Sequence, residues 1–176
     1  SPDNHCSESF LHKLFKERCV KYISDKILVK QDLPFDWQCH KCGEKHHGNL
    51  LKKAVTAIVE YDMTICKPDI ALLDSNGNVI IVIEVVVTHK PEPSVLQYYE
   101  DNNIACVQID VDNFADCDNV VAKLTSPSRV NICPNPICNR CGIVMNSTKL
   151  ITVNANCNNC NQKMKIAMIM TPENIL

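Results

Sequence analysis

Two acidic residues, Asp69 and Glu84, lie on either side of a stretch that has the composition of a tight β-hairpin. Apolar runs flank Asn76-Gly77, a dipeptide that favours a two-residue type I′ turn because both positions need positive φ. That turn, continued outward with Leu73 opposite Ile80, places Asp69 opposite Glu84. The sequence therefore predicts two carboxylates facing each other across neighbouring strands.

Opposed residues of an antiparallel pair hold their Cβ atoms about 4.5–5.5 Å apart, and like charges there are destabilising. Both faces of this hairpin are apolar, which is typical of a sheet covered on both sides. The two carboxylates could share a proton or a divalent cation, which hard oxygen ligands suit. A slipped register or a frayed strand end would instead leave one of them in water. We favour the cation.

The surrounding pattern predicts an α/β fold with a mixed sheet. A helix between two strands indicates a parallel crossover. Apolar periodicity and turn signals first predict a helix at Ser7–Leu28, capped by Ser7, and an irregular segment at Val29–Trp37. A strand at Ala57–Met63, which carries Glu60, precedes the hairpin. After the hairpin the sequence predicts a helix at Ser94–Asn103, capped by Ser94, a strand at Ile104–Val111 and a helix at Asp112–Leu124.

Twelve cysteines are many for 176 residues. The C-terminal part contains two CxxC pairs fifteen residues apart, a spacing typical of a four-cysteine zinc site, with Cys138, Cys141, Cys157 and Cys160 as ligands. Strands within Ile143–Val153 and at Lys163–Met170 would complete a zinc ribbon. So small a unit would depend on the metal for stability.

A third CxxC pair, Cys39 and Cys42, is followed by His46 and His47. These residues could hold a second Zn²⁺, and a distant Cys133 is another candidate partner. A solvated turn with reduced thiols is the alternative. Metal-type cysteine spacing indicates a reducing, cytoplasmic setting.

Charge and composition divide the chain at Thr125–Arg129, which has the composition of a linker. We expect an α/β core over residues 1–125 and a zinc ribbon over residues 126–176. The second part is basic, because a single acid, Glu173, accompanies Arg129, Arg140, Lys149, Lys163 and Lys165. No apolar run reaches the ~18 residues of a membrane span, and no signal peptide is expected.

The order Glu60, Pro68-Asp69 and Glu84 resembles the PD-(D/E)XK nuclease superfamily, and the spacing is most similar to its competence-protein CoiA-like branch. The N-terminal SES…HK helix and the IEVVVTH strand add to this resemblance, which covers roughly residues 7–111. It implies a restriction-endonuclease-like core with a Mg²⁺ or Mn²⁺ site. One position departs from the pattern, since Val86 stands where the family has a lysine.

The resemblance implies that Asp69, Glu84 and the Val85 main-chain carbonyl bind the metal, while Glu60 binds it through a water or completes a second metal site. Strand alternation puts Glu84, Thr88 and Lys90 on one face, so Lys90 could replace the family lysine. Gln97 resembles a glutamine that supports the site in some relatives. The basic residues Arg129, Arg140, Lys149, Lys163 and Lys165 would contact DNA phosphates.

Three functions are compatible with these residues. The first is a metal-dependent DNA endonuclease, in which a homodimer could cut both strands. The second is a catalytically inactive nucleic-acid-binding or accessory module, which the valine at position 86 favours. The third is a zinc-held protein-interaction module with incidental carboxylates.

Overall fold

Five strands form a mixed sheet at the centre of the fold. The computed structural model describes residues 2–38, 43–131, 149–156 and 163–170, and gives side chains within 10–38 and 43–131. The sheet strands are β3 (Thr56–Val59), β4 (Ile70–Leu73), β5 (Val79–Val86), β6 (Ala105–Asp110) and β7 (Arg129–Val130), in that spatial order. β5 and β6 are parallel and the other neighbours are antiparallel. The predicted mixed sheet and α/β class are thus confirmed.

Helices cover both faces of this sheet. Helix α1 (Pro2–Leu28) buries Leu11, Phe15, Cys19 and Ile23 in the core that contains Ile83. Their four-residue spacing puts these side chains on one helical face. Helix α2 (Pro93–Asp101) makes the predicted crossover between β5 and β6, and it forms a smaller apolar cluster with Val82 on the opposite face. All four residues of β4 are buried, as the apolar pattern on both faces predicted.

A second, two-stranded sheet precedes the main one. It consists of β1 (Pro34–Gln38) and β2 (Lys45–Asn49), which are antiparallel. Phe35 and Trp37 alternate with exposed residues and enter the main core. The prediction of irregular structure at Val29–Trp37 was wrong for its second half, because Pro34 is the first strand residue, where no ladder donor is required of it.

Three helix boundaries also differ from the prediction. Helix α1 begins at Pro2 instead of Ser7, and α2 begins at Pro93 with Glu92 as N-cap instead of Ser94. Proline suits the first helical position because its missing N–H would have no partner there. The single helix expected at Asp112–Leu124 is two short helices, α3 (Phe114–Asp118) and α4 (Val120–Thr125). The Asn119 side chain between them donates to the Ala115 carbonyl, which competes with helix continuation.

An antiparallel hairpin lies near the C-terminus of the sequence. It consists of β8 (Lys149–Asn156) and β9 (Lys163–Met170), which confirms the strand predicted at Lys163–Met170. The four cysteines of the predicted zinc ribbon lie outside the described residues, so the zinc site remains a prediction. In the parts of the chain that the structure describes, no helix is both long and apolar enough to cross a bilayer.

Candidate active site

The β4–β5 turn sets the position of the two carboxylates, but it is not the predicted type I′ turn. Asp74 and Asn78 close a three-residue loop, in which Gly77 takes the positive φ of 82°. The Asp74 carboxylate accepts the backbone N–H groups of Asn76 and Asn78. A type I turn followed by a left-handed glycine is the usual three-residue hairpin loop.

A β-bulge then restores the predicted register. Leu73 pairs with Val79 and Leu72 pairs with Ile81, so that Ile80 is the extra residue. The expected pairing of Leu73 with Ile80 was therefore wrong. Beyond the bulge, Ile70 pairs with Ile83 as the two-residue turn had required. The next positions outward are Asp69 and Glu84, which brings the two acids together at the end of the strands.

Asp69 is held by donors from two directions. Its Oδ2 accepts the Val85 backbone N–H at 2.9 Å and lies 3.0 Å from His12 Nε2, while its Oδ1 lies 3.4 Å from Lys16 Nζ. Burial favours the neutral acid, but the hydrogen bonds from His12 and Val85 outweigh it and leave the pKa of Asp69 lowered. Asp69 is therefore ionised at neutral pH.

Glu84 has the opposite electrostatic balance. Burial raises its pKa to about 7, the Asp69 charge adds to the rise, and a hydrogen bond from Tyr99 opposes it. Two carboxylates that approach in a poorly solvated place cannot both ionise at low cost. The ionised form of Glu84 is thus disfavoured in the protein alone, and a bound cation would favour it.

Helix α1 contributes two residues that the sequence analysis did not select for the site. His12 and Lys16 are four residues apart, so both lie on the same side of the helix. The Lys16 side chain is 7% exposed, and its Nζ lies 2.7 Å from Glu60 Oε1. Burial lowers the pKa of Lys16, but Glu60 and Asp69 outweigh that effect and leave it raised, so Lys16 is charged. The sequence signal was a basic residue beside the apolar stripe of α1.

Glu60 lies just beyond β3 and not within it, which corrects the strand predicted at Ala57–Met63. Its φ of 51° is in the left-handed region, which non-glycine residues adopt uncommonly. Its backbone N–H donates to the Asp69 carbonyl, and its carboxylate pairs with Lys16 and Lys67. These two lysines lower the pKa of Glu60 to about 2. Glu60 is thus linked to Asp69 through Lys16, which pairs with both carboxylates.

Tyr99, a residue of α2, contacts Glu84 from the face of the sheet opposite to α1. The ring is fully buried, and its hydroxyl donates to Glu84 Oε1 at 2.7 Å. The Cys66 thiol donates to the same hydroxyl at 3.6 Å. Burial, with the Glu84 charge, raises the pKa of Tyr99, so the phenol stays protonated and remains a donor. The sequence analysis did not select Tyr99 for the site.

Three other predicted site residues lie elsewhere. Strand β5 ends at Val86, so the alternation that linked Thr88 and Lys90 to Glu84 does not extend to them. Both are exposed, and Thr88 contacts the neighbouring His89 ring. Gln97 is exposed on α2 and donates to Asp101. The basic group that the structure places beside Asp69 is Lys16.

The candidate second zinc site can be followed only at its histidines, because Cys39, Cys42 and Cys133 lie outside the described residues. His46 stacks on Trp37, whereas His47 pairs with Asp36 at 2.5 Å. Neighbouring strand residues point to opposite faces. His46 and His47 are therefore unsuited to ligate the same ion while β2 keeps this form.

The predicted DNA-contacting residues are divided between two parts of the chain. Arg129 is an exposed residue of β7, at the edge of the main sheet and not in a ribbon. Lys149, Lys163 and Lys165 lie in β8 and β9, and Arg140 is outside the described residues.

The described side chains contain no group of three or more His, Cys, Asp or Glu arranged to hold a metal ion. Mg²⁺, however, keeps several waters and is often bound through one or two carboxylates. Asp69 and Glu84 offer hard oxygen donors at the end of neighbouring strands. In the continued register Pro68 lies opposite Val85, and proline has no N–H to donate to the Val85 carbonyl. These donors fit a hard divalent cation.

Comparisons with protein-family models, with curated proteins and with solved structures found no match to this chain. The arrangement of its own residues must therefore carry any functional assignment.

Proposed function

We propose that this protein is a Mg²⁺- or Mn²⁺-dependent endonuclease that hydrolyses phosphodiester bonds in DNA. The observation that carries the proposal is the approach of Asp69 and Glu84 at the end of a covered sheet, where Glu84 has a raised pKa and a buried lysine pairs with Asp69. Groups whose pKa is strongly perturbed by burial and by a specific charged neighbour are more frequent at functional sites than elsewhere.

Asp69, Glu84 and the Val85 carbonyl would hold the cation. A cation bound there would lower the pKa of a bound water and offset charge on the scissile phosphate. Lys16 supplies a fixed positive charge beside Asp69, the role for which the nuclease pattern has a lysine where this chain has Val86. His12 and the Val85 N–H orient the Asp69 carboxylate. Glu60 holds the Lys16 ammonium in place.

The sequence adds two elements to this proposal. A four-cysteine zinc ribbon at Cys138, Cys141, Cys157 and Cys160 would place its basic residues against the phosphate backbone. Such contacts position a protein on DNA without reading its sequence. Arg129, on the sheet edge, would act from the core in the same way.

A second function is favoured by one observation. The Lys16 ammonium already pairs with Glu60 and Asp69, so the acidic cluster has a resident cation of its own. If these ion pairs only stabilise the fold, the protein would bind nucleic acid without cutting it.

Plasmid nicking separates the readings. The parent protein should nick supercoiled DNA with Mg²⁺ or Mn²⁺, and Asp69→Asn should abolish nicking while DNA binding is retained. Asp25→Asn, the same change at an exposed α1 residue, is the matched control and should cleave like the parent. A parent that binds DNA but never nicks it favours the second function. A parent that binds zinc but no DNA favours a protein-interaction module.

A further inference from the structure

The Tyr99 hydroxyl is not needed to fill the core. The ring packs among Val82, Ile104 and Cys106, and a phenylalanine would occupy the same space. Buried hydroxyls require a hydrogen-bond partner, and here the acceptor is the carboxylate of Glu84 at 2.7 Å. A buried tyrosine could have bonded to a backbone carbonyl, yet this one bonds to an acid of the candidate site.

A carboxylate is planar, so the direction of one oxygen determines the direction of the other. The bond from Tyr99 turns Glu84 Oε1 toward α2. The Asp69 backbone amide also faces this carboxylate. Glu84 is therefore held in one orientation, with its neighbour Asp69 oriented independently by Val85 and His12.

Cys66 extends this support by one residue. Its half-buried thiol donates to the Tyr99 oxygen at 3.6 Å, which orients the phenol proton toward Glu84. An S–H group is a weak donor, so its contribution should be smaller than that of the phenol.

We propose that Tyr99, backed by Cys66, is a positioning residue that presents Glu84 to a divalent cation. The inference rests on the proposed function, since it requires that Asp69 and Glu84 bind a cation. Groups that orient a metal ligand typically change metal affinity by about 10–100-fold when they are removed.

The test is Mn²⁺ binding to the full chain without DNA, measured by calorimetry at about pH 8, above the pKa of Glu84. Tyr99→Phe should weaken Mn²⁺ binding by about tenfold or more. Tyr98→Phe removes the same hydroxyl from the adjacent residue of α2 and should leave the affinity unchanged. Cys66→Ala should cause a smaller loss in the same direction, and it tests the proposal even if Tyr99→Phe folds poorly.

Thermal unfolding of each variant distinguishes positioning from simple stabilisation. A structural hydroxyl would lower the unfolding midpoint of Tyr99→Phe and leave its Mn²⁺ affinity equal to that of the parent, which would overturn the proposal. An equal loss of affinity in Tyr98→Phe would overturn it too. A parent that binds no Mn²⁺ would overturn the proposed function, and this inference with it.

Discussion

The raised pKa of Glu84 makes a quantitative prediction about stability. A carboxyl whose pKa rises on folding binds its proton more tightly in the native state than in the unfolded state. The native state then loses stability as pH rises from the ordinary value of 4.5 through about 7, and the loss is constant above that range. At about 1.4 kcal/mol per pH unit, the difference corresponds to about 3 kcal/mol.

Glu84→Gln removes this cost because an amide resembles the protonated acid and can still accept the Tyr99 hydrogen bond. The variant and the parent should have nearly equal free energies of unfolding at about pH 4.5. Near pH 8 the variant should be more stable by about 3 kcal/mol. Urea unfolding with a chelator present, followed by circular dichroism at both pH values, measures the difference.

Comparing the free energies of unfolding of Glu84→Gln and the parent at each pH separates the contribution of Glu84 from those of the other titrating groups. Asp69 and Glu60 have lowered pKa values, so their contributions change at lower pH. Equal stability of parent and variant near pH 8, with the chelator present, would refute the reasoning that burial and Asp69 destabilise the ionised form of Glu84.

Three further predictions concern other parts of the chain. Lys16→Met should lower the free energy of unfolding by about 3 kcal/mol at neutral pH, because it leaves the partly buried Asp69 charge with one partner fewer. In urea unfolding at decreasing pH, the difference in free energy of unfolding between variant and parent should shrink as Asp69 becomes protonated. A difference that stays constant to low pH would contradict this explanation. Gly77→Ala should cost about 1 kcal/mol from backbone strain alone, since nothing lies within 4 Å of the added methyl group; a larger loss would contradict this. Elemental analysis should find about one tightly bound zinc per chain, or about two if Cys39 and Cys42 also bind, and Cys138→Ser should remove one.

Local sequence signals were sufficient for β4, β5 and the pair of acids, but not for β1 or for the break between α3 and α4. Apolar runs on both sides of a glycine-containing turn predicted β4 and β5, because neighbours along the chain determine side-chain direction and turn geometry. The loop length was wrong by one residue. The longer loop takes Ser75 from the β4 side, and the bulge adds Ile80 on the β5 side. The two shifts cancel, so Asp69 still meets Glu84.

The partners of those acids were decided by tertiary packing. His12 and Lys16 are more than fifty residues from Asp69 in the chain. Local periodicity does not predict which turn of α1 lies over the end of β4, because that depends on how the whole helix packs against the sheet. For the same reason the sequence indicated Lys90, which is close to Glu84 along the chain, while the fold placed Lys16 beside Asp69 in space.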